Sequence, residues 1–291
     1  MEIRLKAVKS ILTPQKGGLL IAGAYPFTHT LSAYVGCGFG QTTCGLYCYA
    51  PFLPNWSFSG LSEPWGKAIL VKENASEALE QMLSRMKPAA RQKLRIFMSS
   101  TTDPYQPIER RYQLTRRCLE VFSRYPDLDL LLVQTRSPLA GRDLDLLQHI
   151  PYAWLSVTIE TDDQSYLKSL RGGPPLEKRW ELICIASEAG LHTQIAISPC
   201  LRYTSVEQFA ARLLASGAQR LIVDSFTAGD GSGGRRTSAS PFAQIEPNWA
   251  DTTHAQALYA YLREHAPAHD IAVGWSSQGF CSIPPRQHIL A

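Results

Sequence analysis

The chain has no run near the roughly 18 consecutive apolar residues of a membrane-spanning helix, and its opening MEIRLKAVKSIL alternates charge with apolar residues where an export leader carries an apolar block. The protein therefore reads as soluble and cytoplasmic, with no membrane partner expected. Strong charge is also missing. Lys and Arg number 29 against 25 Asp and Glu, and the formal +4 over 291 residues is far below the density of a dedicated nucleic-acid binder, though compatible with an anionic substrate. No internal repeat is visible. A disulfide framework is a poor fit: the seven cysteines are an odd number, and three of them fall within twelve residues, a spacing that suits metal ligation in a reducing compartment.

What is present is apolar material for a large core, 45% of the chain against 19% charged. Short apolar segments alternate with helical patterns. The strands expected are LRIFM (94–98), LDLLLVQ (128–134), AWLSVTI (153–159), HTQIAI (192–197) and RLIVDSF (220–226), preceded by the alternating stretch THTLSAYVG (28–36). Helices are expected near 110–123, 142–149, 176–189, 205–216 and 253–265, and a further strand-like segment, IAVGW, at 271–275. Strands apolar on both faces and separated by helices indicate an α/β fold with a parallel sheet, a partial or complete (β/α) barrel of about six units. In that architecture ligands bind at the C-terminal ends of the strands. Residues 1–27 read as an N-terminal arm or strand and 28–226 as the core barrel. Residues 227–291 read as a flexible Gly- and Ser-rich loop, a helix and a tail covering the barrel.

Cys37, Cys44 and Cys48 lie in GCGFGQTTCGLYCYAPF, where small residues let the backbone curl so that three thiolates can face one centre. Three ligands on a [4Fe–4S] cubane leave one iron open to chelate a substrate. Structural zinc would need a fourth ligand, for which His29 is the nearby candidate, and inert buried thiols are the third reading.

With SSTTDPYQPIERR (99–111), QTRSPLAGRDLDLL (134–147), SVTIETDD (156–163) and AISPC (196–200), this loop resembles the radical SAM proteins of the spore photoproduct lyase-like family, often labelled DNA repair photolyase-like. The resemblance runs from about residue 28 to 226. Here the cysteines are spaced C-x6-C-x3-C where the family has C-x3-C-x2-C. The Gly-Gly-Glu that binds the amino group of S-adenosylmethionine in many such enzymes is absent, and the SSTT segment stands in its place. The resemblance implies a radical SAM type barrel with a [4Fe–4S] cluster and S-adenosylmethionine as cofactors. It implies reductive cleavage to a 5′-deoxyadenosyl radical that takes hydrogen from a substrate, and an electron donor such as flavodoxin or ferredoxin.

Carried over by motif, Tyr47 and Tyr49 flank the last ligand, Ser100 ends the second strand, Arg136 replaces a lysine of the lyase, and Ser156 and Ser198 end later strands. All six are candidate contacts to S-adenosylmethionine. Ser156, Thr158 and Glu160 share one strand face and form a polar row that is costly unless it binds something. Asp103 and Glu109 read equally as turn and helix-start residues. The lyase carries a hydrogen-donating cysteine where this chain has Ser99 and Ser100, so Cys281 and Tyr105 are the candidates for a catalytic donor or relay. Cys118 and Cys184 read as core residues. The substrate stays open. DNA photoproduct repair is one alternative, radical chemistry on a metabolite or peptide another, and a non-catalytic iron–sulfur or zinc module that binds nucleic acid is the reading from a different class.

Overall fold

A computed structural model describes residues 1–286, so the last five residues of the expected segment 227–291 lie outside the described residues. In chain order the strands are β1 (Glu2–Leu5), β2 (Leu12–Pro14), β3 (His29–Leu31), β4 (Tyr34–Val35), β5 (Ala68–Val71) and β6 (Arg95–Met98). They continue with β7 (Leu130–Thr135), β8 (Ala153–Thr158), β9 (His192–Ile197), β10 (Arg220–Val223) and β11 (Ala272–Trp275). The main sheet has the order β11-β10-β9-β8-β7-β6-β3-β2, parallel except for β2, and among the described residues its two edge strands do not pair with each other. It is a partial barrel. Among the described residues no helix is long and apolar enough to cross a membrane.

The expected strand 28–36 is two strands. β3 joins the main sheet beside β6, whereas β4 pairs with β5 in a small sheet that also holds β1. The N-terminal arm is thus built into both sheets. The helix expected over 110–123 is broken at Gln113, whose φ of 52° is left-handed, into Glu109–Tyr112 and Leu114–Ser123. The Gly- and Ser-rich stretch expected as an irregular loop contains the short helices Phe226–Gly229 and Arg235–Ser238, wound around one carboxylate. Asp230 accepts the backbone N–H groups of Ser232 at 2.7 Å, Gly234 at 3.0 Å, Arg236 at 3.0 Å and Thr237 at 3.1 Å.

Period-two alternation divides each strand between two environments. Ile96, Met98, Leu131, Val133, Leu155, Val157, Ile195, Ile197, Leu221 and Val223 pack outward in the core shared with the covering helices. The inner face carries Phe97, Leu130, Leu132, Ala196 and Ile222, and against them pack Phe27, Phe280, Cys281 and Ile283. The C-terminal segment therefore fills the hollow of the half-barrel. Buried Arg95, paired with Asp129, and buried Arg220 hold it there by donating to the carbonyls of Ile283 and Gly279. With the hollow closed from below, the open space lies at the C-terminal strand ends.

Candidate active site

β4 delivers the chain into the cysteine loop. Gly36 adopts φ +87°, and a Cβ there would sit 2.4 Å from the Ala68 carbonyl oxygen. Cys37 precedes a 3-10 turn (Gly38–Gln41), Cys44 sits in the helix Thr43–Tyr47, and Cys48 ends that helix. At Gly45 a Cβ would lie 1.9 Å from the Gly40 carbonyl oxygen, so the loop can close only on glycine. The segment after β6 clamps it. The Gln106 side chain accepts from Gly38 N at 2.7 Å and donates to Gly36 O at 3.2 Å, and Thr102 Oγ1 donates to the same carbonyl at 2.7 Å.

All three cysteines are free and line one cavity of about 200 Å³, against roughly 10–15 Å³ for a single water. Tyr47, Tyr49, Ser99, Ser100, Gln134, Arg136, Thr158, Ser198 and Asp224 share its wall. Asp103 ties the second and third strand ends together, accepting from Tyr105 N at 2.8 Å, Thr135 Oγ1 at 2.7 Å and Arg136 N at 2.9 Å. Arg136 donates through Nη1 to Glu160 Oε1 at 3.0 Å and to the Tyr47 hydroxyl at 3.4 Å. Glu160 also pairs with buried Arg179, and the two guanidinium groups outweigh burial to hold its carboxyl below the usual range. The Tyr49 hydroxyl donates to the Ser100 carbonyl, locking the cysteine helix to the end of β6.

Among the described residues, three buried polar atoms on this wall have no hydrogen bond of good geometry: Trp65 Nε1, Gln134 Oε1 and Asp224 Oδ1. Orphaned donors and acceptors around a cavity of this size are what a bound polar molecule would satisfy. Among the described residues no three His, Cys, Asp or Glu side chains gather tightly enough to hold one metal ion. Three thiols are the donor count of a cubane that keeps one iron open, whereas structural zinc takes four ligands. His29, the fourth ligand that zinc would need, lies against Thr28 and is not part of the wall.

The thiols are unequal. A hydrogen bond from Cys48 lowers Cys44 below the ordinary thiol range and raises Cys48 well above it, while burial pushes Cys37 up to about 12. Ligation must therefore displace protons from the loop.

Three candidates stand elsewhere. Ser156 is fully buried one level below the cavity, where Gln194 donates to it at 3.0 Å and is itself reached by Arg220 Nε at 3.4 Å. The polar row is thus satisfied within the protein, and Thr158, the next inward residue, takes the cavity position. Tyr105 is buried in the outer, helix-side core near Asp143 and Glu109. The Cys281 thiol is buried against Gly23 and points to the Leu19 carbonyl, and it does not reach the cavity. Glu109 is also distant, accepting from Tyr34, Thr115 and Arg142 at a helix start. Gln106, Gln134, Trp65 and Asp224 were not singled out by sequence. For Asp224 and Gln134 the available signal was a polar residue at the end of an apolar strand.

No protein-family model matches the chain. It is 32% identical over 200 residues to an uncharacterized protein of Methanocaldococcus jannaschii, covering 68% of this chain and 67% of that one. A protein of Pseudomonas phage M6 named radical SAM Nalpha-GlyT isomerase is 28% identical over 167 residues, 55% of this chain and a third (33%) of its own length. Among solved structures, spore photoproduct lyase complexed with dinucleoside spore photoproduct superposes with a TM-score of 0.58 at 12% identity, covering 93% of this chain and 81% of that one. The chain therefore belongs to one family with the Methanocaldococcus jannaschii protein, and its partial barrel has the fold of spore photoproduct lyase.

Proposed function

We propose that Cys37, Cys44 and Cys48 hold a [4Fe–4S] cluster with one open iron and that S-adenosylmethionine binds beside it in the cavity. Together these groups supply reductive cleavage of the sulfonium to methionine and a 5′-deoxyadenosyl radical that takes a hydrogen atom from substrate. The observation that carries the reading is that three free cysteines, a guanidinium and the orphaned polar atoms Trp65 Nε1 and Gln134 Oε1 share one cavity at the strand ends.

The chain's own residues orient and enclose. Arg136, fixed by Glu160 and Tyr47, directs its remaining N–H groups at the carboxylate of S-adenosylmethionine. Ser100 with its neighbours Thr101 and Thr102 faces the amino group in place of a Gly-Gly-Glu, and Ser198 faces the adenosine. Tyr47, Tyr49 and Phe226 exclude water from the reacting centre. An electron donor such as flavodoxin or ferredoxin is the proposed partner. The dinucleoside in the lyase complex keeps nucleic acid among the candidate substrates. Photoproduct repair is disfavoured, because the wall offers Ser99 and Ser100 at the matching strand end and Cys281, bonded to the Leu19 carbonyl, is not part of the wall.

The test is anaerobic reconstitution followed by chromatography for 5′-deoxyadenosine after adding S-adenosylmethionine and dithionite. Wild type should form it and each of Cys37→Ala, Cys44→Ala and Cys48→Ala should not. A cluster-loaded wild type that forms none, or undiminished product from any variant, contradicts the proposal.

A further inference from the structure

Asp224 follows β10, on the wall formed by β9, β10 and the helix Ser276–Phe280. Strands β6 and β7, which lead to Ser100 and Arg136, lie toward the other edge of the sheet. The Asp224 residue is 4% exposed. Oδ2 accepts from Ser198 Oγ at 3.0 Å and the Ser276 hydroxyl also reaches the carboxylate, whereas Oδ1 is buried without a hydrogen bond of good geometry. The carboxylate is packed in place: a Cβ on Gly229 would fall 2.2 Å from Oδ2.

The other charged groups of the cavity are already matched. Both oxygens of Asp103 accept from Tyr105, Thr135 and Arg136, and both oxygens of Asp230 accept backbone N–H groups. Arg136 is engaged by Glu160 and Tyr47. Asp224 is met by the Ser198 and Ser276 hydroxyls and, among the described residues, by no cation, in a cavity whose walls also include Phe97, Phe226, Phe280 and Trp65. Burial raises its carboxyl to about 6, against which Ser276 and Ser198 act, so a cationic donor would be favoured over a neutral one.

Resting on the radical SAM reading above, we propose that Asp224 is the substrate-recognition residue of this cavity and binds a protonated amine carried on an apolar or aromatic body. The amino group of S-adenosylmethionine would be a different amine, since in the reading above it would lie on the Ser100 and Arg136 side.

Benzylamine and benzyl alcohol share a shape and differ in this one group. Their binding to reconstituted protein loaded with S-adenosylmethionine is measured by ligand-observed NMR at about pH 7.5, where a benzylic amine is protonated. Wild type should bind benzylamine at least about tenfold more tightly than the alcohol, the scale of one charge-assisted hydrogen bond. Asp224→Asn should lose that preference, and any fall in its affinity for S-adenosylmethionine should be several-fold smaller than its fall in affinity for benzylamine. Gly229→Ala, whose Cβ must displace the carboxylate, should reduce the preference in the same direction. Equal binding of the two probes, no detectable benzylamine binding, or a preference that survives in Asp224→Asn would overturn the inference. So would an Asp224→Asn variant that weakens S-adenosylmethionine as much as benzylamine, which would place the residue in the cofactor pocket. If wild type forms no 5′-deoxyadenosine, the radical SAM reading fails, and the probe preference measured on metal-free protein still decides the role of Asp224.

Discussion

Replacing Arg136 by alanine removes the one guanidinium that the described residues place on the cavity wall. In the protein its Nη1 is occupied by Glu160 at 3.0 Å and by Tyr47 at 3.4 Å, which leaves the other N–H groups to meet a ligand carboxylate. One charge-assisted bond contributes about 1.5–3 kcal/mol, so the dissociation constant for S-adenosylmethionine should rise by at least about tenfold, and toward about 150-fold at the upper end. The fold should survive. Glu160 keeps its pair with Arg179, so the variant does not strand a buried carboxylate, and the stability loss should stay below the roughly 3–5 kcal/mol of a broken buried pair. Arg136→Lys keeps the charge without the planar fork and should fall between the two. Calorimetry on anaerobically reconstituted protein, with iron content matched across variants, reads the effect. A dissociation constant for Arg136→Ala within about twofold of wild type would refute the assignment and remove Arg136 from the site.

Gly45→Ala should lower iron incorporation as strongly as loss of a cysteine, because its Cβ would meet the Gly40 carbonyl oxygen at 1.9 Å; normal iron content would show that the loop closes differently. Turnover of a synthetic spore-photoproduct dinucleotide should be slow and yield adducts, and Cys281→Ala should not change it, since that thiol faces Leu19; clean turnovers lost in the variant would mean that the tail moves. Asp224 also predicts a pH signature. A carboxyl raised from 3.8 to about 6 binds its proton more tightly folded than unfolded, so it reduces stability as pH rises from about 4 through 6, by up to about 3 kcal/mol. Asp224→Asn should therefore gain stability relative to wild type at about pH 8 compared with about pH 4 in denaturant titrations, and a pH-independent difference would contradict this.

The sequence pattern located strands better than levels within them. HTQIAI coincides with β9 because an apolar run of this length between a helix end and Pro199 has few alternatives. The stretch 28–36 shows one alternation yet feeds two sheets, and no local pattern states which partner each half will take. Likewise the period of two placed Ser156 on the inner face correctly but not its depth. Cross-strand register sets it beside Gln194, one level under the cavity that Thr158 reaches. The three cysteines were legible because their chemistry is local. Asp224, Gln134 and Trp65 were missed because an unpartnered atom is a property of the packed surroundings. The direction of the Cys281 thiol depends on the tail filling the half-barrel, a tertiary contact with Gly23 more than 250 residues away.

The central claim is that a three-cysteine cluster presents an open iron to S-adenosylmethionine in this cavity. Electron–nuclear double resonance on the reduced, reconstituted protein tests it directly, using S-adenosylmethionine labelled with nitrogen-15 in the amino group and oxygen-17 in the carboxylate. Hyperfine coupling from both labels to the cluster is the predicted result, lost in any single cysteine variant. A reduced cluster whose spectrum is unchanged by the labelled compound at saturating concentration would contradict the account.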